Sequence, residues 1–272
     1  MSAECQSQDD LLTIKFAAKS QLRTTLNWIN SKSDLIYSGD QHLEHESEIL
    51  DLDGVDMVDD SRLGGDPYSA LGKLFYTRGE EPGQIGSCTA SFLGSPDTLL
   101  TAAHCVMSEV GVWNTNFIFV SPYGVDGAEM YSVNCIALPK KWGSLLGENA
   151  LQTDFAVLQV NRPTSSRPLE FQPLMPKKLR VVGFSDHCCS GKHLVELEVN
   201  EYEVFEFGLS LRLDNNPMGE GSSGSPWIDS ESGKVVSVSS HYHDGRNLKI
   251  DGPKIGKRLD RIVRYAHQGC ND

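Results

Sequence analysis

Residues 88–105 read CTASFLGSPDTLLTAAHC. Two short strand-like runs, CTASFLG (88–94) and TLLTAA (98–103), are separated by a turn and lead into His104. The same texture continues on both sides. LGKLFYT (71–77) precedes the pair, and NFIFVS (116–121) and YSVNCIAL (131–138) follow it. FAVLQV (155–160), LRVVGF (179–184), HLVELEV (193–199), EVFEFGLSLRL (203–213) and KVVSVSS (234–240) make a second set. HLVELEV alternates apolar and polar residues, as a half-buried antiparallel strand should. No helical stretch separates these runs, which argues against a parallel sheet alternating with helices. Many short strands divided by turns predict an all-β sandwich or barrel.

The two ends of the chain differ from this body. In KIGKRLDRIVRYAHQ (254–268), Ile255, Leu259, Ile262, Val263 and Ala266 fall on one helical face, so a short terminal helix is expected. Near the start, Leu11, Leu12, Ile14, Leu22, Leu26, Trp28 and Ile29 recur in part at three- and four-residue spacing, which predicts a helix within residues 10–30. Nine Asp or Glu and no Lys or Arg follow between Asp40 and Asp60. Without those nine, the net charge of −13 falls to −4, so the acidity belongs to one segment. That segment reads as a solvated linker or as the junction of a propeptide. The acidic balance argues against nucleic acid as a partner. No apolar run reaches the ~18 residues of a membrane-spanning helix, and MSAECQSQDDLLTIKF lacks the basic start and apolar stretch of a secretory signal.

Three stretches carry chemistry: Leu100–Cys105 (LTAAHC), Thr153–Leu158 (TDFAVL) and Gly221–Pro226 (GSSGSP). A serine hydroxyl is a poor nucleophile at neutral pH and needs a base beside it. Histidine suits that role because it takes and returns a proton near neutrality. An aspartate on the other ring nitrogen fixes the tautomer and stabilises the imidazolium. Glycines around a serine allow a tight turn in which two backbone N–H groups face a developing oxyanion. The residues are His104, Asp154 and Ser223, with the N–H groups of Gly221 and Ser223 as oxyanion donors.

TAAHC, DFAVL and GSSGSP, in that order, resemble the signature blocks of chymotrypsin-like serine peptidases. Subtilisin-like and α/β-hydrolase enzymes use other orders, and Ser225 stands where the latter would need a glycine. Val58–Arg62, Asp66–Gly72, residues 88–105 and the Gly-Ser-Pro ending of the serine block are similar to the bacterial glutamyl-endopeptidase-like group. The resemblance covers roughly residues 55–270. It implies two six-stranded antiparallel barrels, about 70–165 and 166–250, with the site in the cleft between them. It implies a Cys88–Cys105 disulfide beside His104, hence an oxidising compartment and a secreted or periplasmic protein. The other reading of this pair is two buried free thiols. The remaining cysteines, Cys5, Cys135, Cys188, Cys189 and Cys270, are left unpaired by the sequence; seven is odd, so at least one thiol stays free or pairs between chains.

The resemblance also sets out departures. Trypsin-like members place an Asp immediately before the serine to receive a new N-terminus; here that residue is Ser222. They place an Asp six residues before the serine to bind Lys or Arg; here it is Pro217. Glutamyl endopeptidases use a His on the following strand, and the preferred register puts Ser239 there with Ser240 as the substrate-strand serine. A shift of two brings in His241 instead, so P1 specificity stays open. Residues 1–54 are a candidate propeptide with a cut near Gly54–Val55, leaving the peptidase domain at 55–272. His241 and His243 would share a strand face, but without a Cys-x-x-Cys pair no metal and no cofactor is expected. The expected activity is serine endopeptidase, acting on proteins or peptides. The alternative is an inactive homologue that binds.

Overall fold

The computed structural model describes residues 11–15, 54–124, 127–142, 148–173, 176–187, 191–205, 209–243 and 248–271. Cys5, Cys188, Cys189 and most of the acidic segment lie outside them. The first half is a closed barrel of β3 (Leu71–Thr77), β4 (Ile85–Phe92), β5 (Thr98–Thr101), β6 (Thr115–Ser121), β7 (Glu129–Pro139) and β8 (Ala156–Val160). Every pairing is antiparallel, and the barrel closes where β7 meets β8 with Ile136 opposite Leu158. Alternation puts one face of each strand inward. Phe92 sits at the centre, with the rings of Phe119 and Tyr131 edge-on to it at 5.3 and 5.2 Å. Burying each such ring contributes on the order of 1.5–3 kcal/mol.

The second half holds two sheets. One runs β14 (Val235–Val238), β13 (Pro226–Asp229), β9 (Leu179–Phe184), β10 (Leu194–Val199) and β2 (Val55–Met57). The other runs β11 (Glu203–Phe205), β12 (Ser210–Leu213), β16 (Lys249–Pro253) and β15 (His241–His243). A second core gathers around the fully buried Trp227, with Leu179, Val181, Leu211 and Ile250. The all-β architecture expected from the strand runs is therefore present.

The terminal helix expected at the end of the chain is α1 (Lys257–His267). Leu259, Ile262, Val263 and Ala266 are buried against the first barrel, and a disulfide from Cys270 to Cys135 on β7 clamps the chain behind it. Among the described residues no helix is long and apolar enough to cross a membrane.

The start of the chain departs from expectation. Leu11–Lys15 is not helical but is a strand, β1, antiparallel to β7 with Leu11 opposite Pro139 and Lys15 opposite Cys135. Three apolar residues at mixed spacing carry little helical preference, whereas the edge of β7 offers unpaired backbone groups. Tertiary pairing overrides so weak a local signal. The rest of the expected helix, residues 16–30, lies outside the described residues.

Candidate active site

His104 sits on a single 3₁₀ turn, Ala103–Cys105, directly after β5. Asp154 ends the approach to β8, with its N–H bonded to the carbonyl of Leu151 at 3.1 Å. β5 and β8 are neighbours in the barrel, so two residues fifty positions apart arrive side by side. His104 Nδ1 lies 2.8 Å from Asp154 Oδ2, and the His104 backbone N–H donates to Oδ1 at 2.9 Å. An ionised carboxylate only accepts, so Nδ1 carries the proton in this pair. The hydroxyl of Ser240 donates to the same Oδ2.

Asp154 is buried, with 3% of its side chain exposed, while 29% of His104 is open to solvent. Burial by itself disfavours the charged form of both groups. For Asp154 the opposing imidazole, its hydrogen bond, and the Ser240 and backbone donors outweigh burial and hold the carboxyl below its ordinary range. For His104 burial pushes down, but the Asp154 charge and hydrogen bond, with a smaller pull from Glu109, leave the imidazole above its ordinary value.

Cys88 and Cys105 form the expected disulfide beside this pair, spanning 6.3 Å between Cα atoms. Their sulfurs and a His104 ring nitrogen lie close together, but both sulfurs are committed to the bridge and offer no thiolate to a metal.

Ser223 lies on the turn between β12 and β13. Gly219, Gly221 and Gly224 there have φ of +54°, +79° and +80°, a region that favours glycine. Gly224 also has no room for a side chain: a Cβ would lie 2.3 Å from the carbonyl of Thr89 and 3.1 Å from Ala102 N. The turn is thus pressed against β4 and the segment just before His104. Thr89 N–H donates to Ser223 O at 2.8 Å, and Gly224 N–H donates to Ser239 O at 2.8 Å. Among the described residues the N–H groups of Gly221 and Ser223 have no acceptor, although buried backbone donors are usually paired. The Ser223 hydroxyl makes no hydrogen bond to His104 here; in unliganded sites such bonds are often long and tighten with substrate.

Of the residues expected along the substrate strand, Ser239 is fully buried and its hydroxyl accepts from the indole N–H of Trp227 at 3.0 Å. It reaches the serine turn through its backbone. Ser240 meets Asp154 with its side chain and Asp251 O with its N–H at 2.9 Å. His241 is exposed, with its ring edge-on to His243 at 4.7 Å. His243 Nε2 is 2.7 Å from Asp251, which also takes a two-pronged bond from Arg212 at 2.7 Å on each oxygen. The Ser240–Asp154 contact and the grip of Thr89 on Ser223 are not legible in the sequence, because each joins segments far apart in the chain.

A closed antiparallel barrel, followed by a second all-β half that carries the serine turn, has the fold of the chymotrypsin-like serine peptidases. The trypsin-like peptidase domain family matches residues 88–238, more than half of the chain, and the chain belongs to that family. Among solved structures, it is similar to a thermostable serine protease, AL20, from an extremophilic microorganism (TM-score 0.62, 17% identity, 75% of this chain and 98% of that one). It is similar to the protease Anisep from Arthrobacter nicotinovorans (TM-score 0.61, 22% identity, 75% and 96%). It is also similar to a Glu endopeptidase solved in complex with MPD (TM-score 0.60, 18% identity, 81% and 99%). No curated protein matches the chain by sequence.

Proposed function

We propose that the protein is a serine endopeptidase in which Ser223, His104 and Asp154 act as nucleophile, base and orienting carboxylate. The observation that carries this is the buried Asp154 carboxylate held by His104 Nδ1, the His104 backbone and Ser240. With Nδ1 protonated, Nε2 is the basic nitrogen. Ser223 Oγ attacks the scissile carbonyl as His104 takes its proton, and the oxyanion that forms accepts from Gly221 and Ser223 N–H. His104 then returns the proton to the leaving amine. A water molecule, deprotonated by the same imidazole, hydrolyses the ester and releases Ser223.

The domain is assigned to 55–272, with residues 1–54 as a propeptide cut near Gly54–Val55. The onset of β2 at Val55, paired to β10, supports that boundary. The pairing of β1 with β7 means that such a propeptide would be docked on the first barrel. The two disulfides fit a secreted or periplasmic setting, and the family implies protein or peptide substrates.

Fluorophosphonate labelling of the full chain and of a chain starting at Val55, read by mass spectrometry with S223A as control, tests the assignment. Stoichiometric labelling at Ser223 in either chain is expected. Absence of labelling in both sinks the enzymatic reading in favour of an inactive homologue. Equal specific activity of the two chains on a peptide pool rules out the propeptide role.

A further inference from the structure

Lys73 lies on β3 of the first barrel, yet its ammonium is directed to the second half of the chain. Only 7% of its side chain is exposed. Nζ donates to the carbonyl of Gly191 at 2.8 Å and lies 3.8 Å from Asp186 Oδ1. Its stem and head pack beside the rings of Phe75 and Tyr123, with Nζ 5.8 and 5.4 Å from their centres. Taking an ammonium out of water is costly, and here the two ring faces, the Gly191 carbonyl and Asp186 offset that cost. Packing alone would be served by an apolar residue of the same length.

Asp186 lies directly beneath the oxyanion turn. Its N–H donates to the carbonyl of Glu220 at 2.8 Å. A Cβ on Gly221 would fall 2.8 Å from the Asp186 carboxyl carbon and from Oδ1. Next to it, the Ser185 hydroxyl donates to the carbonyl of Met218, and Gly191 N–H returns to Ser185 O at 2.9 Å. Gly191 is itself wedged in: a Cβ there would lie 2.2 Å from Asp186 Oδ1 and 2.7 Å from Lys73 Nζ. Within the turn, the Ser222 hydroxyl donates only locally, to Gly219 O at 2.5 Å. Gly221 is held on two sides: Thr89 Oγ1 on β4 donates to its carbonyl at 3.4 Å, and beneath it lie Ser185, Asp186 and Gly191, which Lys73 ties to the first barrel.

We infer that Lys73 is a positioning residue for the oxyanion turn: by gripping Gly191 and Asp186, it holds the platform on which Gly221 rests and so aims the Gly221 N–H. This rests on the peptidase reading above. Lys73 touches no reacting atom. Its influence is expected in the transition state, where the oxyanion develops, and not in substrate binding.

The test uses the full chain as K73M, K73R and D186N. Turnover of a peptide substrate is measured together with hydrogen exchange across residues 217–224. For K73M, kcat is expected to fall about 100-fold with KM changed less than about threefold, the pattern of a lost oxyanion donor. Exchange in 217–224 should speed up about tenfold while β4 and β6 keep their protection. K73R should restore most of both, because a guanidinium can still reach Gly191 O. D186N, changed at a side chain that is 45% exposed, should fold as the parent does and shift exchange in the same direction. K73M with kcat within threefold of the parent and unchanged exchange in 217–224 overturns the inference, as does a loss of protection spread evenly over the first barrel. If the parent chain itself is not labelled at Ser223, the peptidase reading fails, and the exchange data still judge whether Lys73 holds the turn.

Discussion

Ser240 donates its hydroxyl to Asp154 Oδ2, the same oxygen that receives the imidazole proton of His104. One carboxylate oxygen thus joins a residue that follows β14 in the second half to a histidine of the first barrel. The contact makes the histidine's orientation depend on how the two halves are packed.

Removing that donor should weaken both the site and the fold. S240A leaves the buried Asp154 with one fewer charge-assisted bond, for an expected loss of about 1.5–3 kcal/mol in unfolding free energy. Denaturant midpoints check it, and an unchanged midpoint would refute it. D154N should act on chemistry instead, with kcat falling on the order of 10⁴-fold at little cost in KM, because an amide stabilises the wrong tautomer. Steady-state kinetics would show otherwise if kcat fell less than tenfold.

The pH profile follows from the same pair. His104 is held above its ordinary value, first against burial and then by Asp154 and Glu109. In the proposed mechanism His104 acts as base only when neutral, so kcat/KM should fall on the acid side with an apparent midpoint above about 6.5. For stability the sign is opposite: the raised value contributes below the unfolded pKa of His104 and is lost as pH rises through the folded one. Asp154, held low, contributes above its unfolded value of about 3.9 and loses that contribution as pH falls further. An acid limb centred below 6 would contradict this account.

Four of the seven cysteines are in disulfides, so native protein denatured without reductant should titrate at most three thiols. The Cys135–Cys270 bridge closes 135 residues of chain. In the loop-entropy account, C270S should cost ~3–5 kcal/mol. Guanidinium unfolding measures the loss, and a change below 1 kcal/mol would show that α1 is held by packing alone.

Substrates with Lys or Arg at P1 should be poor. Pro217 supplies no charge at the position where trypsin-like relatives carry one. The buried carboxylate beside Ser240, that of Asp251, is already engaged by Arg212 and His243. Profiling with a positional peptide library decides the matter, and a basic P1 preference would mean that Asp251 can be released. R212A would then be expected to raise that preference further.

The strand runs and the terminal helix are legible in the sequence, and so are the blocks that hold His104, Asp154 and Ser223, the residues proposed as the triad. Each is a local signal: an alternation, a 3.6-residue period, or a short block whose residue types are set by the chemistry. The sequence also placed Cys88 and Cys105 on either side of one strand pair, close enough for the resemblance to imply their bond. That Leu11–Lys15 is a strand follows from its pairing with the edge that β7 presents, which no local pattern reveals. The partner of Cys135, the burial of Ser239 against Trp227, the junction of Ser240 with Asp154 and the reach of Lys73 to Gly191 were likewise decided only by the tertiary structure. These contacts join residues from 12 to 135 positions apart, and local preference carries no information about which groups the closing of the barrel and the packing of the two halves bring within 3 Å.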